Sequence, residues 1–217
     1  MAGQRTYDLM YRLGLAGAFW SRADRWEIRE LVEGGPCDPA RLAPPSGGRP
    51  RAIDLGCGEG GVTVYLAQHG FDTVGVDFSE VGLRSARKTA ARAGLDGADI
   101  RFVQGDLTSS SILGVEGSFD LLVDYGTLDD ISAGERHRVA ALIDSLARAG
   151  SRFFLYAFCA RLRDLPWFSV SGPSRLAPER IEPGELEALF GNSWEIERIP
   201  HKGDRFIATF LLTRLGR

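Results

Sequence analysis

The chain has 217 residues, 44% hydrophobic, 25% charged and 10% aromatic, a profile that excludes collagenous, fibrous and disordered proteins. A net charge of −3 and a pI near 5.7 leave no basic surplus for a nucleic-acid backbone as partner. No run of about 18 apolar residues occurs and the first ten residues lack a cationic stretch followed by an apolar core, so neither a membrane span nor a secretory leader is expected.

Residues 1–35 read as two helices, YDLMYRLGLAGAFW and RADRWEIRELVEGG, the second closed by a glycine pair. We take them as an N-terminal helical lid. Residues 36–50, PCDPARLAPPSGGRP, read as a linker that holds neither helix nor strand. From residue 51 to 217 a single domain is expected. Strand-like RAIDLGC, DTVGVDFS, IRFVQGDL, FDLLVDYG and SRFFLYAF are separated by helical GGVTVYLAQHG, EVGLRSARKTAARAGL and, before the fifth strand, AGERHRVAALIDSLARAG. Short apolar runs alternating with amphipathic helices predict an α/β, doubly wound, Rossmann-like sheet, mostly parallel, with helices on both faces. After a Pro- and Arg-rich loop over 159–182, PGELEALFG reads as a helix. WEIERIPH and DRFIATFLLTRL flank Lys202-Gly203 as a C-terminal antiparallel hairpin. Three scattered cysteines, Cys37, Cys57 and Cys159, read as free thiols in a reducing cytoplasm, without metal-ligand spacing.

The most informative stretch runs from Ala52 to Gly61, AIDLGCGEGG, leaving a strand and entering a helix. In a doubly wound fold that turn meets a nucleotide-like ligand, and glycines let it approach the backbone. Gly56, Gly58 and Gly61 satisfy the dinucleotide pattern G-x-G-x-x-G. Asp54, two residues earlier, would repel a pyrophosphate but suits a ligand with a cationic tail such as an amino acid sulfonium. Asp77 ends the second strand, where a carboxylate accepts both ribose hydroxyls. Asp106 follows the third, where it can accept from an adenine amine while Phe78 and Leu107 sandwich the ring. The bland alternative is that each aspartate merely caps a turn or helix.

DLGCGEG, VGVDFS and VQGD, in this order and spacing, resemble the successive motifs of class I S-adenosylmethionine (SAM) dependent methyltransferases, over roughly residues 50–215. The resemblance implies a seven-stranded sheet with SAM across its carboxyl edge, Gly56 and Gly58 against the methionine part, Asp77 on the ribose and Asp106 on the adenine. Asp124, at the fourth strand end, joins Asp54 as a cofactor-side carboxylate on the same implication.

The acceptor should be written around that fourth strand end, DYGTLDD over 124–130. The N6-adenine methyltransferase tetrad is missing, and the carboxylates that catechol-type enzymes use for metal are not at the fifth strand end, so no metal is expected. Bacterial small-molecule methyltransferases have D-x-G-x-x-H at this point. Here Asp129 stands in the histidine's place and is the candidate catalytic residue, as a base or as a group orienting an amine. His69, His137 and His201 add no catalytic arrangement. Tyr11 and Trp20 in the N-terminal helices, with Tyr7 and Trp26 nearby, are candidates to cover SAM, since aromatic faces attract a sulfonium by on the order of 0.5–2 kcal/mol each. Phe158, Trp167 and Phe168 after the fifth strand are further candidates, and Arg161, Arg163 and Arg175 could meet an acidic substrate. The expectation is a cytoplasmic enzyme that methylates a small molecule, with no nucleic-acid or membrane partner and an oligomeric state that is not legible. Alternatives are a SAM-consuming cyclase, a protein-lysine methyltransferase (suggested by D-x-G-T-x-D), and a nicotinamide-binding or catalytically silent module.

Overall fold

The computed structural model describes residues 4–13, 26–44, 47–159, 180–200 and 206–216. In chain order these form α1 (Gln4–Arg12), α2 (Trp26–Val32), α3 (Pro39–Leu42), β1 (Arg51–Leu55), α4 (Gly61–Gln68), β2 (Asp72–Asp77), α5 (Glu80–Arg92), β3 (Ile100–Gln104), β4 (Phe119–Tyr125), a 3-10 turn (Leu128–Asp130), α6 (Arg136–Leu146), β5 (Ala147–Phe158), α7 (Glu185–Phe190), β6 (Trp194–Ile199) and β7 (Ile207–Arg214).

The strands make one seven-stranded sheet in the order β3-β2-β1-β4-β5-β7-β6. β1 pairs in parallel with β2 and β4, so Leu55, Val76 and Asp124 end side by side. β7 inserts between β5 and β6, antiparallel to both. The order reverses at β1/β4, and the ligand crevice of such a sheet opens at that switch, beyond the carboxyl ends.

The central strands are apolar on both faces because helices cover both. Ile53, Leu55, Leu122, Phe153 and Leu155 point to a core shared with α6, α7 and Trp194. Ala52, Leu121, Val123 and Phe154 point the other way, against Val62 and Leu66 of α4 and against Ile28, Leu31 and Val32 of α2. α2 is thus a structural helix of the core, although the sequence groups it with the lid. The linker reading of 36–50 also needs correction. Asp38 caps α3 by accepting from Ala40 N at 2.8 Å, and Pro39 sits in the first turn, where its missing N–H costs nothing. Cys37 beside it is fully buried.

The helix expected over 133–150 ends at Leu146, and Ala147 already pairs with Phe119. Arg152 is the next partner, opposite Leu121, so residues 148–151 bulge out. A helical pattern continued into ARAG because alanine and arginine are good helix formers, while strand pairing decides the outcome. The turn at Lys202-Gly203 lies outside the described residues. Among the described residues no helix is long and apolar enough to cross a membrane, and no cluster of His, Cys, Asp and Glu has metal-holding geometry.

Candidate cofactor and acceptor site

Gly56 and Gly58 adopt φ of +77° and +52°, which L side chains rarely do. A Cβ on Gly56 would lie 2.0 Å from Thr127 Oγ1, and one on Gly58 2.9 Å from the Tyr11 hydroxyl. The turn leans on β2, with Gly56 N and Cys57 N both donating to Val76 O at 2.8 and 2.9 Å. Gly58 N donates to Asp77 Oδ2 at 2.9 Å, and Ser79 N to Asp77 Oδ1 at 2.8 Å. Asp77 therefore ties the glycine turn to the start of α5, and each oxygen keeps a second acceptor site. Burial raises its carboxyl pKa against the pull of those two donors.

These groups border a cavity of about 360 Å³ beyond the carboxyl ends of β1, β2 and β4. Asp54, Gly56, Gly58, Asp77, Phe78, Asp106, Leu107 and Tyr11 all line it. Asp54 is buried and accepts from Thr63 Oγ1 at 2.6 Å, fixing its carboxylate. Asp106 is exposed and accepts from Thr108 N and Oγ1 at 2.8 and 2.7 Å. The cavity wall carries five carboxylates among its described residues, Asp54, Glu59, Asp77, Asp106 and Asp130. That set disfavours a pyrophosphate and suits a ligand with hydroxyl groups and cationic ends.

α1 closes the cavity from above, fastened at three points. The Tyr7 hydroxyl donates to the Asp130 carboxylate, and its ring meets Phe78 edge-on at 5.4 Å. Ser79 Oγ donates to Asp8. Tyr11 lies over Gly58 and Gly82, where a Cβ on Gly82 would come 3.1 Å from its ring. Burial, reinforced by neighbouring carboxylates, raises both tyrosine pKa values, so both hydroxyls are neutral donors at physiological pH.

Two predicted site residues sit behind the wall. Asp124 is fully buried, accepts from Thr127 N at 2.8 Å and Leu128 N at 3.0 Å, and does not line the cavity. Burial pushes its pKa up to about 8, with the charge of Asp129 adding to the shift. Asp129 also misses the cavity. Its Oδ2 accepts from Phe158 N at 3.1 Å, while Oδ1 is buried with no hydrogen-bond partner. Burial, then the adjacent Asp130, pushes its pKa up to about 7. Asp130 is the acid of this turn that faces the cavity, with Thr127 and Ile131 beside it. Asp8, Thr127 and Asp130 were missed in the sequence. An acid pair marks the turn, but not which member faces inward. Trp20, Arg161, Arg163, Trp167, Phe168, Arg175 and His201 lie outside the described residues. His137 is exposed on α6, and His69 caps α4, its Nδ1 2.8 Å from Tyr65 O.

A family model described as a methyltransferase domain matches residues 52–150, the segment that supplies the glycine turn, Asp77, Asp106 and Asp130. Over this segment, a little under half of the chain, the sequence is similar to methyltransferase domains. Members of this family use SAM as cofactor. The chain is 39% identical to a ribosomal RNA small subunit methyltransferase C of Alcanivorax borkumensis over 77 residues, covering 35% of this chain and 22% of that one. It is 25% identical to a 2-heptyl-1-hydroxyquinolin-4(1H)-one methyltransferase of Mycobacteroides abscessus over 147 residues, covering 68% and 60%. The chain therefore spans less than two thirds of either relative. The fold matches magnesium protoporphyrin IX methyltransferase of Synechocystis, crystallised with S-adenosylhomocysteine (SAH), at a TM-score of 0.66 and 21% identity, covering 97% of this chain and 83% of that one.

Proposed function

We propose that this chain transfers the methyl group of SAM to a small-molecule acceptor. The observation that carries this reading is the acidic cavity at the β1/β4 switch, roofed by Tyr7 and Tyr11 of α1. When bound, SAM supplies a methyl group on a sulfonium, an electrophile that needs alignment and dryness more than covalent help from the protein. Gly56 and Gly58 would leave backbone free along the methionine part, Asp77 would accept from the ribose hydroxyls, and Asp106, with Phe78 and Leu107 beside it, would accept from the adenine amine. Tyr7 and Tyr11 exclude water and present aromatic faces to positive charge.

The acceptor side is the wall of Tyr125, Thr127, Asp130 and Ile131. We assign the acceptor-orienting role to Asp130 rather than Asp129, because a proton acceptor must be within reach of its donor and Asp130 is the one on the cavity. The small-molecule reading is supported by the quinolone methyltransferase, a relative matched over 68% of this chain.

The test follows SAM by mass spectrometry with the purified protein, first alone and then with a panel of hydroxylated and amine-bearing aromatic metabolites. Intact SAM alone, with SAH formed only in the presence of an acceptor, is the expected result. Rapid conversion of SAM to methylthioadenosine without acceptor would replace the reading by intramolecular chemistry. SAM that neither binds nor reacts would end it.

A further inference from the structure

Arg136, at the start of α6, is 1% exposed and does not line the cavity. A fully buried guanidinium is costly to desolvate unless all its donors are used. Its Nε donates to Leu128 O at 3.0 Å and its Nη2 to Asp129 O at 3.0 Å. Its Nη1 reaches both carboxylate oxygens of Glu185 in α7, at 2.8 and 3.0 Å. The fork thus holds two consecutive carbonyls of the turn whose next residue, Asp130, binds Tyr7 of the roof. From the other side, Asp124 accepts the amides of Thr127 and Leu128, and Phe158 N pins the Asp129 carboxylate. Backbone carbonyls, backbone amides and one side chain are all held, and the Asp130 side chain projects from this frame toward α1.

We propose that Arg136, braced by Glu185, is a positioning residue that sets the closure of α1 over the cavity by fixing the carbonyls of Leu128 and Asp129 and so aiming Asp130 at Tyr7. The guanidinium is required by geometry. Its three nitrogens reach three points in one plane, which a single ammonium cannot. The proposal rests on the methyl-transfer reading for what closure accomplishes, whereas the coupling itself is a property of the unliganded chain.

The test is a double-mutant cycle read in α1. Amide hydrogen exchange is followed over residues 4–12 and 127–131 in the wild type, Arg136→Lys, Tyr7→Phe and the double variant, with SAH affinity measured by calorimetry in each. Arg136→Lys is expected to speed α1 exchange about tenfold, as Tyr7→Phe does, with no further increase in the double variant, because both remove one linkage. SAH affinity should follow the same non-additive pattern. Faster exchange confined to 127–131, or effects of the two substitutions that multiply, would overturn the proposal and leave Arg136 a local brace. If Arg136→Lys does not fold, Glu185→Gln, which keeps the shape and removes the charge, is read against the same two outcomes. A wild type that does not bind SAH would end the methyl-transfer reading, while the exchange arm would still decide this one.

Discussion

A carboxylate that accepts one backbone N–H on each oxygen can fix two loops at once, and Asp77 does this for the glycine turn and the start of α5. Asp77→Asn keeps the volume but turns one acceptor into a donor, which would face the Gly58 N–H. SAH affinity, measured by calorimetry, is expected to fall at least tenfold, with the far-ultraviolet circular dichroism unchanged. Unaltered affinity would remove Asp77 from the cofactor site. Much at this scale was legible in the sequence, because strand-end aspartates and positive-φ glycines sit at fixed offsets in the chain. Asp54, Asp77 and Asp106 all line the cavity. The exchange of Asp129 for Asp130 was not legible. In a three-residue 3-10 turn, successive side chains point about a third of a turn apart, and tertiary hydrogen bonds choose among them. Here Phe158 N claims Asp129 and Tyr7 claims Asp130.

Among elements, the N-terminal helices divide by what they bury. α1 touches the cavity through Tyr7 and Tyr11 and leaves Leu9 and Leu13 more than half exposed, so its packing is light. α2 buries Ile28, Leu31 and Val32 in the core. At about 1.5–3 kcal/mol for each fully buried side chain, losing α2 removes a large part of a typical domain's stability. A chain lacking residues 1–13 is therefore expected to fold with its sheet intact and bind SAH several-fold more weakly, whereas one lacking residues 1–35 should lose cooperative thermal unfolding. Equal SAH affinity in the shorter deletion would strip α1 of its roofing role. The sequence marked both segments as helices. Periodicity shows that a helix has an apolar face, though not whether that face meets a sheet or a cavity. Strand identities were legible for the same reason, since their apolar runs need only a covered sheet. The α6/β5 boundary was missed because ARAG carries no apolar signal and the Phe119 pairing that decides it is remote in sequence.

For the whole molecule, burying Asp124 and Asp129 together behind the site makes stability depend on pH. Their folded pKa values, about 8 and about 7, stand above the 3.8 of a free carboxyl, so between these limits the folded state holds more protons than the unfolded one. The contribution of each group is fully present below pH ~4 and is lost as pH rises through 7 to 8, with a slope of about 1.4 kcal/mol per pH unit per group. Other carboxylates in the chain titrate with different signs, so the contrast with a variant isolates the effect. Asp129→Asn keeps an oxygen for Phe158 N and mimics the protonated acid. Its melting temperature is expected to match that of the wild type near pH 4 and to exceed it by a margin that widens up to pH 7 and is on the order of 10 °C at pH 8, at roughly 2–4 °C per kcal/mol for a chain of this size. A difference that is the same at pH 4 and pH 8 would mean that Asp129 is not held protonated in the fold. The same variant separates the two acids of the turn. Asp129→Asn should preserve methyl transfer to any acceptor the screen identifies, while Asp130→Asn, at the cavity wall, should reduce kcat/KM by about two to four orders of magnitude, the usual loss for a proton-accepting group.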